Sequence, residues 1–553
     1  MNLAQFESAT KLRGGYYTPP ALASFLARWV LEIRPRRLLE PSCGDGAFFA
    51  ALADLAALPG GGGRVESLLG FELDPVEAEK ARRRAADAAS EARVVCGDYL
   101  EWTLGEGAEP GRFDAVLGNP PYIRYQYLDE RSQAHAARLF ERCGIPFTRH
   151  TNAWVPFVVA ALSQLAPGGR LGMVVPAELL HMLHAQALRD LLIATCSRVM
   201  VVDLDALCFE DALQGVVLLM AERAAQPSAP AELALVQARG LGFLADAPAR
   251  LLARADFAPA GHLNGKWMTL LLSGAERSLL AGLAEAAPFQ RMDQLAEVDV
   301  GIVTGANKFF LVNDEALDHH GLRPWAHPAF GRSLHVRGVV YDQESHDENR
   351  RLGLPAHFVQ LGTAERGSLP PEVQRYVAQG EADGLDRRFK CRIRRPWYNV
   401  PSVFSAPVGM LKRAHAFPRL LLNQLGAYST DTAYRVWPSP GVDAERLVSC
   451  FVNSATALTA ELEGRHYGGG VLELVPSEIE RLLIPMPELE RPALRELDLR
   501  FRSGEPPERI LEAQDGAVLG VAGVAAEDQA RLRAAWDRLR RRRQRAEPVE
   551  PEA

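Results

Sequence analysis

A chain of 553 residues exceeds what one hydrophobic core serves, since single cores stop growing at about 250 to 300 residues, so two or three domains are expected. Its 48% hydrophobic content can fill them, but no stretch of about 18 uncharged apolar residues occurs and Met1–Glu7 has no basic region followed by an apolar one, so neither a membrane span nor an export signal is expected. A net charge of −7 excludes a uniformly basic surface, and seven cysteines without a C-x-x-C pair argue against a zinc site or a disulfide framework, so no metal and a reducing cytoplasm are expected.

Apolar strands alternate with amphipathic helices from about Tyr17 to Arg223, the pattern of a doubly wound α/β domain. Arg37 to Phe49 reads as a strand, a turn through Glu40-Pro41-Ser42-Cys43-Gly44-Asp45-Gly46, and the start of a helix. Glycines in such a turn let the backbone approach a ligand closely. A dinucleotide fingerprint is excluded, because G-x-G-x-x-G is not met, and Pro59 to Gly63 is no phosphate cradle, because no lysine with serine or threonine follows it. A second strand, Leu68 to Glu72, runs into Leu73-Asp74-Pro75, and a carboxylate at that strand tip is where a ribose diol is gripped. The third strand, Arg93 to Cys96, ends in Gly97-Asp98-Tyr99, where Asp98 could accept from an adenine amino group. Each acid alone also reads as a solvated strand end; one per successive βα unit, they form an ordered set.

The fourth strand, Phe113 to Gly118, ends in Asn119-Pro120-Pro121-Tyr122 at the sheet edge where α/β folds keep their chemistry. An amine conjugated to a base ring is a poor nucleophile, and its methylation requires acceptors that hold its hydrogens while the nitrogen pyramidalises. The Asn119 side-chain oxygen and the Pro120 carbonyl are candidates. Proline fixes φ and brings no N–H, so its carbonyl is aimed without a competing donor. Tyr122 would stack on the base. Alone, the tetrapeptide could equally be a Pro-Pro turn.

In this order the set resembles the S-adenosylmethionine-dependent N6-adenine DNA methyltransferases of the gamma arrangement, the TaqI type. The resemblance implies an α/β fold: a class I methyltransferase doubly wound sheet, followed by a mixed α+β target-recognition domain and a helical C-terminal end. It implies cofactor contacts from Tyr17, Thr18 and Pro19, from Glu40, Pro41, Ser42, Cys43, Gly44 and Gly46, from Glu72 and Leu73, and from Asp98, Tyr99, Asn119 and Phe157. Catalysis would fall to Asn119, Pro120, Pro121 and Tyr122, with Phe209 as the second face of a sandwich around the flipped adenine.

The expected domains are 1–225 for catalysis, a linker at 226–236 on Gln226-Pro227-Ser228-Ala229-Pro230-Ala231, recognition over 237–490, and a helical extension with a disordered tail over 491–553. Val298 to Thr304 and Lys308 to Val312 look strand-like. Double-stranded DNA as partner requires the acidic surplus to be segregated. Arg387-Arg388-Phe389-Lys390-Cys391-Arg392-Ile393-Arg394-Arg395, followed by Pro396-Trp397, holds six basic residues in nine. Its alternation from Lys390 to Arg394 predicts an exposed strand that contacts DNA through Arg387, Arg388, Lys390, Arg392, Arg394, Arg395 and Trp397, or else a charged edge. The arginine-rich Arg538 to Arg545 reads as a solvated or frayed helix end, or else as an accessory DNA contact.

Other readings are a protein-glutamine methyltransferase, which shares the tetrapeptide but needs no second half; an RNA methyltransferase; and a non-catalytic defence component, against which the intact Asn119 to Tyr122 speaks. None of the six lysines has an acid two residues before it, so no fused nuclease is expected. The enzyme would be solitary or the modification component of a bacterial restriction or defence system, with any nuclease a separate subunit.

Overall fold

A computed structural model describes residues 18–58, 64–105, 111–204, 215–226, 231–238, 240–260, 265–467, 469–489 and 493–544. The chain divides into two compact units, Met1–Leu271 and Leu272–Ala553. No helix among the described residues is long and apolar enough to cross a membrane.

The first unit is a doubly wound α/β sandwich. Its elements in order are α1 (Pro20–Leu31), β1 (Arg37–Glu40), α2 (Ala47–Ala57), β2 (Val65–Glu72), α3 (Pro75–Ala88), β3 (Ala89–Cys96), α4 (Tyr99–Leu104) and β4 (Phe113–Gly118). There follow α5 (Glu130–Arg142), α6 (Trp154–Gln164), β5 (Leu165–Pro176), α7 (Gln186–Thr195), β6 (Cys196–Leu204), β7 (Val216–Arg223), β8 (Glu232–Ala238) and β9 (Ala258–Pro259). The sheet runs β3-β2-β1-β4-β5-β7-β6-β8-β9. Strands β1 to β5 are parallel, and β7 is inserted antiparallel between β5 and β6. Chain order reverses between β1 and β4, which opens a crevice at the carboxyl ends of these strands. Local chemistry sets the early turns: Asp74 accepts from Val76 N and Glu77 N, Pro75 occupies the first helical turn, and Ala78, Ala81 and Ala85 recur at helical spacing on the buried face of α3.

The expected linker is corrected here. Residues 227–230 lie outside the described residues, but Glu232–Ala238 is β8, paired along its length with β6. A Pro- and Ser-rich loop marked a crossover to another strand of the same sheet, and the compact boundary falls at 271/272.

The second unit is mixed α+β. A five-stranded sheet contains β10 (Ala296–Val300), β11 (Val340–Tyr341), β12 (Val408–Leu411), β13 (Leu420–Asn423) and β14 (Ala433–Pro438) in the order β10-β14-β12-β13-β11. The basic segment is corrected from strand to helix: Phe389–Arg392 is α8, because Cys391 is fully buried while its neighbours face out. Lys308 to Val312 is half helix, with Asn307–Phe310 helical before a short strand.

The C-terminal helices α10 (Ala493–Arg502) and α11 (Ala526–Gln544) belong to this same unit, with α11 packed along α9 (Ser454–Glu463). The arginine run is accordingly not a solvated end over its described part. Arg538 bonds both carboxylate oxygens of Glu276 at 3.0 and 2.8 Å. Arg543 is fully buried against Glu461, to which it donates at 2.7–3.2 Å.

Candidate active site

The glycine turn after β1 is built from left-handed backbone, with φ of 53° at Gly44 and 88° at Gly46. At Gly46 a side chain would also meet the Cα of Ala81 at 3.0 Å, so this glycine lets α3 pack on α2. At Gly44 a Cβ would meet nothing within 4 Å; this is the turn's open side. Glu72 ties the turn to β2, its Oε2 accepting from Gly44 N and its Oε1 from Asp74 N, both at 2.9 Å. Leu73 beside it is 67% exposed, a large apolar side chain at the lip of the crevice.

Glu40 is 1% exposed, and among the described residues no group hydrogen-bonds its Oε2. Burial, with Asp45 and Glu72 nearby, holds its carboxyl well above the usual carboxylate range. Asp45 is paired with Arg84 at 2.8 Å and Glu72 with backbone N–H groups, which leaves Glu40 as the acid of this turn with an unpartnered buried oxygen among the described residues.

Asp98 caps α4, its Oδ1 accepting from Leu100 N at 2.8 Å and Glu101 N at 3.3 Å. Its Oδ2 lies 3.1 Å from Nδ1 of His135 on α5, a partner no sequence spacing announced. Tyr99 is buried at 1% exposure, its ring 5.4 Å from Phe71 and 5.7 Å from Phe157; half-buried Phe157 continues this aromatic wall outward.

The tetrapeptide after β4 is pinned to both neighbours. Asn119 Nδ2 donates to Thr18 Oγ1 at 3.2 Å, and Ser42 Oγ donates to the Asn119 carbonyl at 3.0 Å. Pro120 is buried, and Tyr122 donates from its hydroxyl to the Val174 carbonyl of β5 at 3.1 Å. The loop is braced from outside as well: Ala153 N donates to the Ile123 carbonyl at 2.8 Å. Next to Ala153, Asn152 donates to Glu178 Oε2 at 3.0 Å, and His184 Nε2 lies 3.3 Å from the same oxygen. Burial would raise the Glu178 carboxyl, but its bonds to His184 and Asn152 hold it below the ordinary value. Sequence reading missed Asn152, Glu178, His184 and His135, because folding joins Asn152 to Glu178 across 26 residues and Asp98 to His135 across 37.

Thr18, Ser42, Glu72, Asp98 and Asn119 are thus gathered at one sheet edge. Tyr17 and Phe209 lie outside the described residues. Two expected DNA contacts are redirected. Arg394 turns inward, donating to the carbonyls of Thr304 at 2.7 Å and Val303 at 2.6 Å. Trp397 is 8% exposed, its ring tilted against Phe309 in the core with centroids 4.9 Å apart and its Nε1 donating to Glu381. Arg387, Arg388, Lys390, Arg392 and Arg395 remain exposed.

Residues 1–258 match the family model "N-6 DNA Methylase", and residues 264–519 match that of the C-terminal domain of the Type II methyltransferase M.Eco57I. The chain is 25% identical over 488 residues to the Type II methyltransferase M.XamI of Xanthomonas campestris pv. amaranthicola, covering 85% of each. It is 19% identical over 484 residues to M.AccI of Acinetobacter calcoaceticus, covering 84% of each. In fold it resembles the Type IIL restriction-modification enzyme MmeI, solved in complex with DNA, with a TM-score of 0.52 at 11% identity over 94% of this chain and 72% of that one. The cofactor of this fold and family is S-adenosylmethionine, and the site fits it: Glu40 offers an unpartnered buried acid to a cationic ligand beside the open face of Gly44. The methylase model comes first and the M.Eco57I-type domain second, the order of the gamma arrangement, and these matches support a gamma-class S-adenosylmethionine-dependent N6-adenine DNA methyltransferase.

Proposed function

We propose that this chain methylates N6 of adenine at a specific site in double-stranded DNA, with the target base flipped into the pocket beside Asn119 and Tyr122. One observation carries the reading: Asn119 is bonded to Thr18 through its amide and to Ser42 through its carbonyl, so the amine-holding residue is fixed to the cofactor turn. Glu40, Gly44, Glu72 and Leu73 would hold the amino-acid and ribose parts of the cofactor, and Asp98, Tyr99 and Phe157 its adenine. When bound, the cofactor supplies an electrophilic methyl group.

The bond to Thr18 orients the Asn119 amide. Asn119 Oδ1 and the Pro120 carbonyl accept the hydrogens of the target amine, and both bonds strengthen as the nitrogen becomes positive, which favours the transition state over the ground state. Tyr122, anchored on Val174, presents a ring to the base. Once methylated, the amine is acidic enough to lose its proton to water, so the step requires no dedicated base. The biological setting of this reading is a solitary methyltransferase, or the modification component of a restriction or defence system whose nuclease is a separate chain.

The test is methyl transfer from labelled cofactor to duplex DNA, to RNA and to a release factor, with single-molecule sequencing of DNA from an expressing host to locate the base. Asn119→Ala should lower transfer to duplex DNA by about two to three orders of magnitude while cofactor affinity by calorimetry stays near wild type. Transfer only to RNA or protein, or an active Asn119→Ala enzyme, would refute the assignment.

A further inference from the structure

The second unit carries an apolar tip among exposed basic residues. Phe389 is 63% exposed and Ile393 64% exposed; four residues apart, they share one face of the turn formed by α8 and its end. Arg387, Arg388, Lys390, Arg392 and Arg395 surround them, all exposed, with the Lys390 ammonium 5.7 Å and the Arg392 guanidinium 5.4 Å from the centre of the Phe389 ring. An isolated exposed apolar residue is ordinary. Two on one rigid mount, ringed by cations, are a different arrangement.

The mount is rigid because Cys391 between them and Arg388 and Arg394 on either side are used as anchors. Cys391 is fully buried with its Sγ 3.8 Å from the Thr304 carbonyl. Arg394 donates to the carbonyls of Val303 and Thr304, and Arg388 reaches the Gly305 carbonyl at 3.4 Å. Gly305 adopts φ of 79°, and a Cβ there would stand 2.8 Å from Lys390 Cβ and 3.2 Å from Cys391 Sγ. Glycine therefore lets the helical turn seat directly on the 303–305 loop. The tip protrudes without having to be ordered when it binds.

The ring of cations needs a polyanion, and an apolar centre inside that ring gains nothing from phosphates alone. A DNA duplex satisfies both, offering phosphates on either side of a stack of apolar base faces. We propose that Phe389 and Ile393 form a wedge that enters the base stack of the bound duplex and bends it, while the surrounding cations grip the flanking phosphates. This rests on reading the chain as a DNA methyltransferase, and it adds a second point of DNA deformation, distinct from the methylation pocket.

The experiment uses the full chain and a duplex carrying the methylated site, with end-labelled energy transfer reporting the bend. Phe389→Ala with Ile393→Ala should weaken duplex binding about tenfold or more, as loss of aromatic–base stacking does, and should relax the bend with little change in the salt dependence of binding. Phe389→Trp should restore the bend, and its added indole emission should fall on DNA binding as bases stack on it. Both side chains are exposed, so the melting temperature and cofactor affinity should stay at wild-type values. Unchanged bend and affinity in the double alanine variant would overturn the wedge, as would a variant impaired only toward an acidic protein or an anionic vesicle. Wild-type chain that bends DNA through these residues but transfers no methyl group would uphold the wedge and refute the proposed activity.

Discussion

Glu40 illustrates how one residue reports on its ligand. Its carboxyl is raised by burial and by Asp45 and Glu72, so without cofactor it retains its proton to higher pH than an ordinary carboxyl. The sign follows: a folded-state value above the unfolded one gives stability that is complete below the unfolded value and lost as pH rises through the folded one. A cationic ligand reverses the preference and expels the proton. Cofactor binding measured by calorimetry in buffers of different ionisation enthalpy should therefore release up to one proton, with affinity rising with pH over that window. Glu40→Gln should abolish both the release and the slope; a proton count unchanged in that variant would place the cation elsewhere. Glu40 and the glycines were legible in the sequence because a strand followed by a left-handed turn is encoded locally. Asp98's partner His135 was not, since it comes from a helix 37 residues away.

Elements whose meaning depends on distant partners were harder to read. Alternation from Lys390 to Arg394 satisfies a strand period, but five residues satisfy one helical turn equally well, and the burial of Cys391 under the 303–305 loop decides for the helix. The C-terminal arginines read as a solvated end because nothing near them in the chain announces Glu461. Arg543 and Glu461 are both fully buried, 82 residues apart, and Arg543 also donates to the His415 carbonyl at 2.8 Å and the Ala416 carbonyl at 3.2 Å. The helix α11 is thereby clamped to α9 and to the loop after β12. Removing one partner of a buried pair leaves the other charge without compensation, which costs about 3 to 5 kcal/mol, whereas an apolar pair of similar volume can be neutral. Arg543→Met should thus lower the denaturant midpoint of the second unit, followed by the emission of buried Trp536. Adding Glu461→Leu should recover most of that loss, and a single variant as stable as wild type would show the pair to be dispensable.

At the scale of the whole molecule, the doubly wound first half was readable because strand-end residues recur once per βα unit, whereas the boundary was placed early because the loop before β8 has a linker's composition. The charge balance is the remaining issue, since −7 overall must coexist with affinity for a polyanion. The structure concentrates exposed cations around α8 and turns others inward, Arg394 onto carbonyls and Arg543 onto Glu461, so that basic residues near in sequence differ in function. Arg387, Lys390 and Arg392 are all exposed, and replacing the three by Ala should leave the fold and cofactor binding in the other unit as they are. Each phosphate they neutralise adds about 0.9 to the log-log dependence of DNA affinity on salt, so the slope should become shallower by that amount for every phosphate no longer paired. Asn119→Ala, which removes an acceptor for the amine and no cation, should keep the full slope while losing transfer. A triple variant with the wild-type slope would place the electrostatic footprint on another face, and the acidic surplus would have to be segregated from DNA by a different surface.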